Sequence, residues 1–335
     1  SIMPTVQAWN QLKTIKDAFD SATLDPKIPD GRAATSLGIR IQAVNDFTVG
    51  KDTTNILLFP GLNAGLAVQD VAPETTGGAS RAYHMALDGG VKFDMTQTDD
   101  GWTYTQDANQ DASRWRCVSQ AVKLTLINNS EDDDGWFEAI RFVPQADEAQ
   151  LIGTNKGLVP DQTLFKKNQE AAGANLIQHN NYMTGKLRDI HKYQFYLQHH
   201  QPEHDFINLK DQYSLTENKS AWEDARDQLW DHSMDCVLIR IHGRKTPDNA
   251  TSCCRGTKIM AHLVSNHEYM YSESSPMVRL QTRGTDAGQI LDRTIQQQNA
   301  ATGAGQVVGM VTPQNSPQKR KKPGKRPSTK LNNEN

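Results

Sequence analysis

Arg114-Trp115-Arg116-Cys117-Val118-Ser119-Gln120-Ala121-Val122-Lys123-Leu124-Thr125-Leu126 is the stretch that decides the fold class. From Val118 the even positions read Val118, Gln120, Val122, Leu124 and Leu126, against Ser119, Ala121, Lys123 and Thr125. Alternation at period two is the pattern of a strand with one buried face. The same period recurs on both sides of this stretch. Leu37, Ile39, Ile41, Ala43, Phe47 and Val49 hold the odd positions of one run, and Trp136, Ile140 and Phe142 share one parity of another. Val237, Ile239 and Ile241 alternate with Leu238, Arg240 and His242. Leu187, Tyr193, Phe195 and Leu197 share a face, and Ile259, Ala261 and Leu263 share a face of the long run 257–271. Ile56–Phe59 and Val278–Leu280 are shorter candidates. Strands do not alternate with helices, which excludes a parallel sheet. The reading is all-β: an antiparallel eight-stranded jelly-roll sandwich with long loop insertions, one or two short helices and extended terminal arms.

Helical signals are few. Val6, Trp9, Leu12, Ile15 and Phe19 recur at three- and four-residue steps and predict a short amphipathic N-terminal helix with those residues on its inner face. Ser220-Ala221-Trp222-Glu223 fits a capping box and predicts a helix over 220–231. Long polar connections are expected at 60–80, 96–113, 144–180, 210–219 and 243–256. Beyond about residue 284 the pattern fades into Gln296-Gln297-Gln298, Gly303-Ala304-Gly305 and a Pro-rich end. The chain therefore divides into an N-terminal lead-in (1–34), a jelly-roll shell domain (35–284) and an extended C-terminal arm with a basic tail (285–335).

Charge is unevenly spread. The formal charge of -3 hides a tail, 319–335, with seven Lys or Arg and one acid, net +6, on a body that carries -9. Lys319, Arg320, Lys321, Lys322, Lys325, Arg326 and Lys330 have no apolar neighbour to pack on, and such a string suits phosphates or nuclear-import machinery. These seven are the candidate nucleic-acid-binding residues. No membrane partner is expected, because apolar runs such as Ile56–Phe59 fall far short of the roughly 20 residues of a span.

Other motifs carry less. Placing Gly135 at the sixth position of a calcium loop puts Ser130 first and Arg141 twelfth, where an EF-hand needs acids, so Ser130–Gly135 reads as an acidic turn. In His199-His200-Gln201-Pro202-Glu203-His204, Pro202 would break any helix presenting two zinc-ligating histidines, so a solvated or loop cluster is expected. Cys117 and Cys236 sit in strand-like runs, Cys253 and Cys254 are adjacent, and all four are expected as free thiols. Gly61-Leu62-Asn63-Ala64-Gly65 and Gly153–Gly157 lack the lysine of a phosphate cradle and read as turns. No catalytic residue, metal ligand or cofactor is assigned.

Residues 114–124, followed by Gly135-Trp136-Phe137-Glu138-Ala139-Ile140-Arg141, resemble two neighbouring jelly-roll strands of small icosahedral virus capsid proteins. Ala261-His262-Leu263-Val264-Ser265-Asn266-His267-Glu268-Tyr269 resembles their last core strand, with its Asn and Glu near the end. The whole is similar to capsid proteins of diatom-infecting circular single-stranded DNA viruses (bacilladnavirus type), related in fold to nodavirus-like capsids. That resemblance implies a non-enzymatic coat protein that self-assembles into an icosahedral shell, T=3, around a single-stranded DNA genome. It also implies residence in the virion and, during assembly, in the host nucleus. Gln120-Ala121 stands where a Gly is common, and the basic arm is C-terminal where many relatives have it at the N-terminus. Asn299-Ala300 resembles the bond that nodavirus-like precursors cleave, though the sequence does not place the buried carboxylate this needs. Two rival readings are a β-sandwich carbohydrate-binding module or enzyme, built around Trp102, Tyr104 and Trp115, and a monomeric single-strand nucleic-acid-binding protein.

Overall fold

In the computed structural model the chain crosses repeatedly between two antiparallel sheets. The structure describes residues 3–48, 53–62, 64–71, 82–86, 93–98, 101–106, 112–127, 135–143, 175–178, 181–200, 204–209, 212–215, 231–243, 257–299 and 305–307. The first sheet has the core order β1 (Thr35–Thr48), β14 (Lys258–Tyr271), β7 (Ala112–Leu126), β10 (Tyr193–Tyr196). The second has β2 (Thr53–Leu58), β13 (Cys236–Gly243), β8 (Gly135–Phe142), β9 (Met183–Lys186). In sequence order these eight strands visit first, second, first, second, second, first, second and first sheet, which is the double Greek-key path of a jelly roll. Short strands extend both sheets: β15 (Thr282–Arg283) on β1, β16 (Gly305–Val307) on β10, β11 (Ile207–Asn208) on β7, and β3 (Ala64–Val71) with β4 (Ala82–Ala86) beyond β2. A separate sheet joins β5 (Phe93–Thr98), β6 (Gly101–Gln106) and β12 (Gln212–Leu215).

The core lies between the sheets. Ile41, Trp115, Cys117, Val122, Leu124, Phe195, Leu263 and Tyr269 meet Ile56, Leu58, Phe137, Ala139, Val237, Ile239 and Ile241, all buried. Alternation explains most of this, with one instructive exception. Asn266 pairs with Ser119 and His267 with Cys117, so Val118 is an extra residue, a bulge in β7. The bulge reverses the side-chain phase. Trp115 and Cys117 join Val122 in the sandwich, whereas Val118 packs in a different cluster on the outer face. The expected Val118–Leu126 face is therefore split.

Gln120 stays inward and is used. Its amide donates to the Phe59 carbonyl at 2.7 Å and the Gly65 carbonyl at 3.0 Å, and its Oε1 accepts from Ser265 Oγ at 2.9 Å. It thus bridges the sheets, which accounts for the departure from glycine at this point. A Cβ on Gly65 would lie 2.5 Å from Gln120 Nε2, so the bridge demands glycine there.

Several expectations are corrected. Parts of the expected loops 60–80, 96–113 and 210–219 are strands β3, β6 and β12. Leu187–Lys192 and Pro276–Leu280 are 3-10 turns, not strands. In β8 it is Phe137 and Ala139, not Trp136, that enter the sandwich, while Trp136 is exposed and stacks on His242 with ring centroids 3.9 Å apart. Within the segment expected as an extended arm, helix α2 (Gln289–Asn299) is folded. Among the residues of the expected helix 220–231, all but Asp231 lie outside the described residues.

Helix α1 (Val6–Lys16) forms as expected, with Thr5 Oγ1 accepting the Ala8 N–H at 3.2 Å as its N-cap. Its inner face differs from the expected one: Ala8, Leu12 and Ile15 are buried, but Val6 is 77% and Trp9 46% exposed. Ala8, Leu12 and Ile15 pack with Ile28, Val118, Ala287, Leu291 and Ile295, joining both termini into one layer over the outer face of the first sheet. That layer sits very close to β1. A Cβ on Gly38 would lie 2.3 Å from the Pro26 carbonyl oxygen, a backbone atom that cannot swing aside. Gly38→Ala is therefore expected to lift the lead-in and destabilise the fold by roughly 1–3 kcal/mol. Equilibrium urea unfolding beside the parent chain measures this.

Candidate functional site

The terminal layer is held by charges that the sandwich itself presents. Arg116 on β7 points away from the core and is almost completely buried. Its Nε donates to Glu268 Oε2 at 2.7 Å, and its Nη1 donates to Asp30 Oδ2 at 2.6 Å and to the His204 carbonyl at 2.7 Å. Its guanidinium lies 4.2 Å from the Phe206 ring centroid. Burial opposes the Arg116 charge, yet Glu268 and Asp30 outweigh it and raise its pKa. Glu268 also accepts from Ser36 Oγ at 2.6 Å and from the Ile28 N–H at 3.3 Å. One ion pair thus ties lead-in, β1, β7, β14 and the 204–206 segment together. Lys27 repeats the device nearby. Its buried ammonium donates to the Ser36 and Thr282 carbonyls and to Thr282 Oγ1, with Asp25 at 3.2 Å. Asn266 Nδ2 donates to the Ala18 carbonyl at 3.1 Å.

The Arg and the Asn and Glu quoted for their resemblance are therefore the anchors of the terminal layer. The sequence contained a usable signal: charged residues at outward strand positions, in a run otherwise apolar enough to be buried on both sides.

The histidine cluster is not solvated at both ends. His199 and His204 are buried, with ring centroids 4.3 Å apart. His199 Nε2 donates to the Val118 carbonyl at 2.8 Å. Burial lowers the His199 pKa, and burial together with His199 and Arg116 lowers that of His204 to about 3. His267 is sealed in the core, its Nε2 donating to Ser265 Oγ at 2.7 Å and its Nδ1 accepting from Tyr269 OH at 2.9 Å, and burial lowers its pKa to about 3.

A second buried ion pair lines an open cavity of about 400 Å³, where Arg141 Nη1 donates to both oxygens of Asp235 at 2.8 and 2.9 Å. Burial raises the Asp235 pKa against the Arg141 charge. Asn299 also lines it, donating to the His199 carbonyl at 3.0 Å, while Ala300 lies outside the described residues.

The other sequence candidates fall as follows. Lys319 to Lys330, Ser130 to Asp134, Gly153 to Gly157 and Cys253-Cys254 lie outside the described residues. Cys117 and Cys236 are buried free thiols. Among the described residues no three His, Cys, Asp or Glu side chains gather as metal ligands, and no helix is long and apolar enough to cross a membrane. Trp115 is wholly buried beside His267, so the aromatic surface needed by a carbohydrate-binding reading is not built from it.

Eight antiparallel strands in this order, with segments from both ends of the chain packed over one sheet, define the jelly-roll class. The family model described as Shotokuvirus capsid protein matches residues 6–305, and the chain belongs to that family. It is a capsid protein, with a structural and not an enzymatic role, and its place is the virion. It is 31% identical over 311 residues to the capsid protein of Avon-Heathcote Estuary associated kieseladnavirus, covering 83% of each chain. To the capsid protein of Chaetoceros diatodnavirus 1 it is 29% identical over 311 residues, covering 84% of this chain and 78% of that one. Among solved structures it is similar to the chain of the T13 particle of IBDV, with TM-score 0.47, 10% identity and coverage of 87% and 91%.

Two outcomes follow from these geometries. Arg116→Met strands the buried Glu268 carboxylate and is expected to cost about 3–5 kcal/mol, while Arg116→Met with Glu268→Leu recovers much of it. Urea unfolding of the two variants decides this. The second concerns pH. Imidazoles kept neutral in the folded chain bind protons in the unfolded one below the usual value of 6.5. Their stabilisation is complete above 6.5 and is lost as pH falls toward about 3, by about 1.4 kcal/mol per pH unit for each group in that window. Denaturation midpoints measured from pH 7 down to pH 4 check the slope, and His204→Gln should remove its share.

Proposed function

We propose that this capsid protein self-assembles into a closed icosahedral shell around a single-stranded genome, which the resemblance makes DNA and the shell T=3. The observation that carries the reading is the match of residues 6–305 to a capsid family. The strand order supports it: two sheets packed face to face make a rigid wedge, and rigid wedges tile without losing their shape on contact. In this reading residues 35–284 form the shell, the lead-in 1–34 seals its outer sheet face, and 285–335 carry the chain to the genome. Lys319, Arg320, Lys321, Lys322, Lys325, Arg326 and Lys330 neutralise packaged phosphates and release their counterions. The body at -9 limits binding of other nucleic acid to the remaining surface. The same basic string serves as an import signal that brings the chain to the host nucleus for assembly.

The purified full chain should sediment as a large particle whose diameter and lattice electron microscopy can measure. Deleting 319–335 should lower packaged nucleic acid. It should also reduce the salt slope of binding to a single strand by about 5, roughly 0.7 for each cation removed. A chain that stays monomeric at high concentration, or a deletion that changes neither quantity, would count against the proposal.

A further inference from the structure

The terminal layer covers only part of the first sheet's outer face. Ala18 packs with Ala121, Tyr196 and Val264, which closes that row of the sheet. The next row is Val44–His262–Lys123–Gln194, in register across β1, β14, β7 and β10. Val44 at one end is 62% exposed and His262 and Lys123 are half-buried, while Gln194 at the other end is buried against Asp17. Phe19 stands at the boundary. Lys123 Nζ lies 4.1 Å from its ring centroid, and His262 meets it edge-on at 5.1 Å. Arg40 donates to the Phe19 and Asp20 carbonyls from the same side. Burial lowers the His262 pKa, and Lys123 and Arg40 lower it further.

Just before Phe19, helix α1 turns Trp9, Lys13 and Lys16 outward, three- and four-residue steps that place them on one face. Two carboxylates, Asp17 and Asp20, lie nearby and both attract Arg40. Asp17 accepts from the Phe19 N–H and from Gln194 Nε2, and Asp20 accepts from the Ala22 N–H.

The register extends this row to β16. Gln194 pairs with Gln306 of β16, so the row that holds Lys123 and His262 ends one residue from Val307, where the chain runs on toward Lys319. Lysines for phosphates beside half-exposed aromatic rings for bases are the two parts of a single-strand contact, and the tail itself has no aromatic residue.

We propose that the outward face of α1 (Trp9, Lys13 and Lys16) and the half-covered row beyond it (Lys123 and His262 beside Phe19) form a second, folded contact for single-stranded nucleic acid. The proposal rests on the packaging reading above and deepens it. Full-length particles test it. Lys13→Gln, Lys16→Gln and Lys123→Gln together should leave particle diameter and lattice unchanged and lower packaged nucleic acid by about a third, three cations of ten on the two contacts. The same three positions changed to Arg should keep it. Ultraviolet cross-linking of the unaltered particles should give nucleotide adducts on the peptides holding Trp9 or Phe19.

Unchanged content in the Gln variant would overturn the proposal, as would the absence of any such adduct. So would loss of particles by a Gln variant whose chain remains folded, because the face would then be a contact between copies. A drop in content on deleting 319–335 with none in the Gln variant sinks this site and leaves the tail; the reverse result sinks the tail and leaves this site. Full-length particles devoid of nucleic acid would end both.

Discussion

A buried guanidinium must find its counter-charges or leave the protein unstable, and Arg116 imposes that constraint on the whole chain. Its position on β7 faces away from the sandwich, where an ordinary jelly roll would meet water. Glu268 answers from the next strand, but the pair alone leaves donors and acceptors unfilled. Asp30, the Ile28 N–H, Ser36 and the His204 carbonyl fill them. The lead-in is consequently part of the shell's folding unit and not an appendage. Lys27 extends the same logic to Thr282, drawing the C-terminal side into the layer that α1 and α2 complete.

Inside the sandwich the polar chemistry is sparse and local. Gln120 joins the two sheets through the Phe59 and Gly65 carbonyls, and passes its hydrogen bonds on through Ser265 and His267 to Tyr269. The Val118 bulge belongs to the same economy of space. It turns one apolar residue outward to seat the terminal helices, and it leaves the Cys117 N–H to the Asp231 carboxylate at 2.7 Å. A coat subunit has to be stiff on all sides at once, and these features fix sheet to sheet and termini to sheet with few interactions.

The arrangement also bears on function. Both termini meet on one face of the first sheet, and the strand leading to the basic tail pairs at that sheet's edge.

Much was legible in the residues themselves. Period-two alternation marked β1, β7, β13 and β14, because a half-buried strand must alternate. The helix at Val6–Lys16 followed from its spacing and its cap. The coat-protein class was legible in Arg116, Asn266 and Glu268 as parts of a pattern. What only the tertiary structure decided depends on partners distant in sequence. The bulge at Val118 is set by pairing with β14, and Trp9 lies outward because α2 and Ile28 occupy the other side of α1. His199 and His204 are buried because Arg116 draws the 204 segment inward. Local periodicity records which face of an element is apolar. It cannot record that a sheet will be covered on its second face as well, since that follows from where a buried charge finds its partner.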